Sequence, residues 1–179
     1  MNQIMNRGQT LFKKYFLYLI FYSFGGYLLE RILNLIFYQE WIDNSVLIGP
    51  YQPLYGSGVL LTILIFELQN HMSINQNKYL NQAILLISAI LFTGLVEAIT
   101  GFGFEYLFNL RLWDYRDFFP CTYRYICIYP TTIFGITNYL VVRYLHPIFR
   151  YYIEKTNNLL YYCLLILFIF DIIVTFTRL

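Results

Sequence analysis

Apolar residues run almost unbroken through five stretches of the chain, about 15–38, 46–67, 82–108, 126–145 and 158–176. Within each stretch they follow one another instead of alternating, so a membrane β-barrel is a poor match and helices are expected. A helix needs roughly 20 residues to cross the hydrocarbon core, and tilt or interfacial extension accommodates a longer one. The pattern predicts an all-α, polytopic membrane helix bundle of about five transmembrane helices, forming a single integral membrane domain over residues 1–179. The first run follows Lys13 and Lys14 but continues past Glu30 and Arg31 without a small-residue cleavage site, so it reads as a retained anchor rather than a signal peptide.

One run breaks the pattern. GPYQPLYGSG, residues 49–58, places two prolines and three glycines where the second span begins. Pro50 and Pro53 lack an N–H and restrict the residue before each, while Gly56 and Gly58 loosen the backbone downstream. Non-helical backbone at membrane depth is tolerated where protein or a wet cavity satisfies it, and broken helices often mark transporter sites. A re-entrant or unwound wall facing an acidic stripe is expected, with Tyr55 and the backbone at Gly56 near Glu97 or Glu105. An interfacial loop capping an ordinary helix is the competing reading.

Composition strengthens the membrane assignment: 12% of residues are charged and 59% hydrophobic, against about a quarter charged in a soluble domain. The net charge of +2 is small and no basic cluster points to nucleic acid. Arg7, Lys13, Lys14, Lys78, Arg143, Arg150 and Lys155 fall on one side of the five spans, against Arg111, Arg116, Arg124 and Arg178 on the other. That imbalance favours a cytoplasmic N-terminus. Cys121, Cys127 and Cys163 are odd in number and lack CxxC spacing, so neither a disulfide framework nor a zinc site is indicated. His71 and His146 are too far apart in sequence to suggest a ligand pair.

Charge inside the apolar runs is the most specific chemistry. In GLVEAITGFGFEYLF, residues 94–108, Gly94, Glu97, Gly101, Glu105 and Phe108 share one helical arc of about 80°. Small residues there admit a close neighbouring helix, and intramembrane carboxylates require a partner or a wet cavity. Ser23, Gly26 and Glu30 repeat the arrangement in the first span, and the adjacent Arg31 is free to serve Glu97 or Glu105. A structural ion pair that only fixes helix register explains the same residues. In NLRLWDY, Arg111 and Asp114 are spaced for a surface ion pair, and Trp113 and Tyr115 suit the interfacial belt. Asp171, inside the last span, faces a cavity or snorkels to the interface.

No Walker-type phosphate loop, catalytic triad spacing or HExxH occurs, so ATP hydrolysis within this chain is not expected. No cofactor is indicated. Glu30, Glu97, Glu105 and Asp114 would suit a hard cation if they converged, but arginine pairing accounts for them equally well.

FYSFGGYLLE (21–30), GPYQPLYGSG, EAITGFGFEYLFNLRLWDY (97–115), ICI (126–128) and the pair His146–Pro147, in that order, resemble the CmpB-type "putative ABC-transporter type IV" membrane family over about residues 15–150. The resemblance implies a small bacterial cell-membrane protein with several spans and a permease-type role. It carries the family pattern onto Glu30, Gly49, Pro50, Pro53, Tyr55, Gly56, Gly58, Glu97, Glu105, Arg111, Trp113, Asp114 and Tyr115. Two arginines of the pattern are absent: Asn44 is followed by Ser45 and Val46, and beyond the WDY motif stand Cys121, Arg124 and Tyr125. Arg124 is placed to substitute for one of them.

Three functions remain open. A transporter permease would use Glu30, Arg31, Tyr55, Gly56, Glu97, Gly101, Glu105, Arg111 and Asp114 as a polar intramembrane site, with membrane lipids around it and a separate ATPase subunit or a second copy as partner. A membrane enzyme acting on a lipid or lipid-linked substrate would use the same carboxylates for acid–base or metal-assisted chemistry. A non-catalytic scaffold or subunit would use them only to lock helices together.

Overall fold

The computed structural model describes residues 2–41, 43, 45–72, 77–117 and 119–178; Asn44 lies outside them, as does the side chain of Arg7. The described residues contain helices and no strand. In order they are α1 (Asn2–Tyr38), α2 (Pro53–Met72), α3 (Lys78–Phe108), a 3-10 turn (Tyr115–Asp117), α4 (Ile128–Leu140), a π-turn (Val141–Leu145), α5 (His146–Glu154) and α6 (Asn158–Arg178). Among the described residues, three segments are long and apolar enough to cross a membrane: Thr10–Ile36 of α1, α3 and α6. The shorter α4, and α2 with Glu67, Gln69 and Asn70 in its final turns, are not among them.

Local chemistry sets the helix ends. Pro53 occupies the first position of α2, where its missing N–H removes no helical bond. Asn77 caps α3 by accepting from the Tyr79 and Leu80 amides. At the other end Asn109 takes a left-handed conformation (φ 52°, ψ 29°), and its N–H bonds the Glu105 carbonyl at 3.0 Å. Asn157 accepts from the Leu160 amide at 2.7 Å and starts α6.

The chain forms two compact units, Met1–Gly56 with Ile148–Leu179, and Ser57–Pro147. In the first, Phe16 of α1 meets Tyr161 and Phe168 of α6 edge-on, with ring centroids 5.8 and 5.9 Å apart. Tyr18, fully buried, donates to Glu154 at 2.5 Å, and Lys13 reaches the Thr156 carbonyl at 2.7 Å.

In the second unit α3 buries one face, Leu85, Ala89, Thr93, Gly94, Glu97 and Gly101, at the three- and four-residue spacing of a helical stripe. The matching face of α4 is Thr131, Gly135 and Asn138. A side chain at Gly135 would strike the Ile90 backbone, so this glycine permits the close approach of α4 to α3. Asn138 Nδ2 donates to Thr93 Oγ1 at 2.9 Å and bridges the two helices within the apolar contact.

Candidate functional site

Glu97 lies 19 residues from Lys78 and 11 from Phe108 along α3. At about 1.5 Å per residue it stands roughly 16 Å inside the helix end nearer Asn109. It is 2% exposed. Tyr115 Oη donates to one carboxylate oxygen at 2.9 Å, and Thr131 Oγ1 to the other at 2.5 Å. Among the described residues no cation pairs with it. Because a hydroxyl both donates and accepts, these partners can serve either a carboxylate or a carboxylic acid.

Two turns on, Glu105 has the opposite environment. Its Oε1 accepts from Arg111 at 3.1 Å and from Arg124, while Oε2 accepts from Tyr125 Oη at 2.8 Å. Arg124 also stands 3.4 Å from Asp114, whose main partner is Arg116 at 2.5 Å. The expected Arg111–Asp114 pair is not formed: past the end of α3 at Asn109, Arg111 pairs with Glu105, and Asp114 takes Arg116 and Arg124. The hydrogen bonds from Arg116 hold the Asp114 carboxyl down at about 2, helped by the charges of Arg116 and Arg124.

Tyr125 organises this end. Fully buried, its ring lies against Gly101, where any side chain would overlap it, and meets Phe102 and Trp113 edge-on. Trp113 donates its indole N–H to the Tyr125 carbonyl at 3.4 Å. The Tyr115 amide bonds the Arg124 carbonyl at 2.8 Å, doubling the loop back on itself. That return brings Cys121 and Cys127 to a Cα separation of 5.2 Å, and they form a disulfide. The cysteine count misled here because an odd total says nothing about two thiols within one folded loop. Cys163 is free and exposed.

The residues singled out in the other unit serve a second arrangement. Arg31, buried, pairs with Asp43 and lies over the rings of Tyr27 and Trp41, 4.6 and 5.3 Å from their centroids. Its partner is a loop carboxylate that the span pattern gave no reason to choose. Glu30 is half-buried. Tyr55 packs onto Gly26, and Gly56 onto Leu19 and Ser23, where added side chains would collide.

The Gly/Pro stretch divides in two. Gly49–Gln52 is non-helical, but Gly56 and Gly58 lie inside α2, and none of the described glycines has a positive φ. They are contact glycines rather than hinges, which corrects the expectation of a loosened backbone. Around Pro50 the Tyr51 amide bonds the Gly49 carbonyl at 2.8 Å in a three-residue turn. Asp171 of α6 satisfies this turn. It accepts from the Ile48 amide at 3.0 Å, the Gly49 amide at 2.7 Å, Tyr51 Oη at 2.5 Å and Thr175 Oγ1 at 3.0 Å. The Gln52 amide bonds the Ser23 carbonyl of α1 at 3.0 Å.

Sequence reasoning did not select Arg124, Tyr125, Thr131 or Asp171 as site residues. The sequence signalled Asp171 by a charge inside an apolar span and Arg124 by the family pattern; Tyr125 and Thr131 become visible only in the folded chain. Among the described residues, no three acidic, histidine or cysteine side chains gather as a metal site.

The profile of one protein family, described as "Putative ABC-transporter type IV", matches residues 17–176 and so extends through most of α6. No curated protein and no solved structure matches the chain.

Proposed function

The chain belongs to the "Putative ABC-transporter type IV" family, and on that premise we propose that it is a permease-type membrane subunit whose ATPase is a separate chain. Its polar site is centred on Glu97, with Thr131, Tyr115 and Gly101 beside it and the Glu105–Arg111–Arg124–Asp114 cluster at its mouth. The observation that carries this reading is the contrast between two carboxylates on one helix face. Glu105 is neutralised by arginines, whereas Glu97 is deeply buried and, among the described residues, bonded by hydroxyls. An uncompensated charge at the centre of a bilayer costs about 2.5–3.5 kcal/mol on insertion scales, so such a residue is retained for a task. A proton, or a cationic group of a transported solute, fits its chemistry.

The disulfide supports an orientation. Disulfides persist in oxidising compartments, so the loop holding Cys121 and Cys127 belongs outside, opposite a cytoplasmic N-terminus. The charge imbalance favours the same assignment. Five crossings, with α2 and the α4–α5 helix completing the count, agree with both.

The chain purified from its native membrane in mild detergent should carry a nucleotide-binding subunit, identifiable by mass spectrometry. In proteoliposomes, Glu97→Gln should leave that complex assembled but abolish the coupling of its ATP hydrolysis to solute. A complex that transports without any nucleotide-binding chain overturns the permease reading. The scaffold reading draws support from the saturation of Glu105 and Asp171 by partners; it predicts that Glu97→Gln disrupts assembly first.

A further inference from the structure

Far from Glu97 along α3, the second unit contains a cavity of about 270 Å³. Its polar wall comes from Gln69 and Asn70 of α2, Lys78, Asn81 and Gln82 of α3, and Arg143 of the π-turn. Phe66 and Leu85 add an apolar side. Among the described residues that line it, none is acidic.

The π-turn has a local cause. Pro147 has no N–H to offer the Arg143 carbonyl four residues earlier, and its ring crowds that carbonyl. The helix widens instead, with the His146 amide bonding the Val141 carbonyl. Single π-turns recur at functional sites because they redirect one side chain of an otherwise regular helix. Arg143 lies at the middle of this turn.

Several cations elsewhere in the chain are held by carboxylates. Lys14 and Arg150 pair with Glu154, Arg31 with Asp43, Arg111 and Arg124 with Glu105, and Arg116 with Asp114. Among the described residues, Lys78 and Arg143 meet no carboxylate. Gln69 Nε2, also in the wall, is buried without an acceptor. Two unpaired cations and an unsatisfied amide donor therefore surround one cavity, and an oxyanion supplies what all three lack.

We infer that this cavity binds a phosphate group, presented either by an anionic phospholipid or by a soluble phosphate compound. Arg143 and Lys78 take its charged oxygens, and the amides of Gln69, Asn70 and Gln82 accept or donate at its remaining polar atoms. The volume exceeds a bare phosphate, and the Phe66–Leu85 side suits the glycerol or other organic portion of the ligand. Lys78 begins the long apolar α3, the position at which a basic pocket between spans meets lipid headgroups. The site is separate from the one built on Glu97 and does not depend on the transport reading.

The test uses the full-length protein in nanodiscs of phosphatidylcholine alone or mixed with phosphatidylglycerol, with native mass spectrometry of retained lipid from detergent. A lipid source predicts a higher Tm in the phosphatidylglycerol discs and retained anionic lipid. A soluble source predicts a Tm rise when inorganic phosphate is added to phosphatidylcholine discs. Under either, Lys78→Gln and Arg143→Gln each weaken the response roughly tenfold, the effect of losing one charge-assisted hydrogen bond. Lys155→Gln, which removes an exposed cation held against Tyr151, retains it. If Arg143→Gln does not fold, Lys78→Gln at the exposed start of α3 and the wild-type comparison still decide. A wild-type protein indifferent to both phosphatidylglycerol and phosphate overturns the inference. So does an equal loss in Lys155→Gln, which would reduce the effect to general surface charge.

Discussion

Asp171 offers the sharpest test of how the Gly49–Gln52 turn is held. Its Oδ1 accepts from the Ile48 amide and Thr175, and its Oδ2 from the Gly49 amide and Tyr51. Asp171→Asn keeps the shape but turns one oxygen into an NH2 group. The hydroxyls of Thr175 or Tyr51 can rotate to accept from it, but a backbone N–H cannot. One amide donor, Ile48 or Gly49, is then left facing another donor. An unsatisfied buried donor costs about 1–3 kcal/mol, and the substitution should cost that much. Asp171→Ala orphans both amides and should cost about 3–5 kcal/mol, the range for breaking a buried partnered charge. Tyr51→Phe removes one charge-assisted bond and keeps the ring on Phe168, for about 1.5–3 kcal/mol. Reversible unfolding in mixed micelles, monitored by tryptophan fluorescence, measures all three. The double variant Asp171→Ala with Tyr51→Phe should cost little beyond Asp171→Ala alone, since both remove the same contact. Strict additivity, or an Asp171→Asn protein as stable as the wild type, would refute the reasoning.

Further outcomes concern the glycines of α3 and the cysteines. Gly101→Leu should destabilise by about 1–3 kcal/mol, because the new side chain overlaps Tyr125. Gly103→Ala has open space around it and should be neutral or stabilising by up to about 1 kcal/mol; thermal unfolding of the pair distinguishes contact from helix propensity. In the absence of reductant, a maleimide–polyethylene glycol reagent should modify Cys163 alone, and reduction should add two sites. Three sites on unreduced protein, read as a gel shift, would contradict the Cys121–Cys127 bond.

The sequence by itself determined the helical class, because continuous apolar runs leave the backbone no better way to satisfy its hydrogen bonds in lipid. It also determined the contact face of α3, since Gly94, Glu97 and Gly101 recur at helical spacing whatever packs against them. The family pattern was legible in long ordered motifs such as GPYQPLYGSG. What those motifs touch was decided only by tertiary structure. Asp171 stands more than a hundred residues from Gly49, and no local periodicity links an aspartate in one span to a turn before another. Arg124 and Tyr125 reach Glu105 because Asn109 ends a helix and a loop reverses, and neither event follows from hydropathy. The same reversal pairs Cys121 with Cys127. Periodicity fixes which residues share a face, because it is set by the geometry of one helix. Which carboxylate is neutralised and which keeps only hydroxyls depends on where irregular backbone returns, and that is a property of the folded chain.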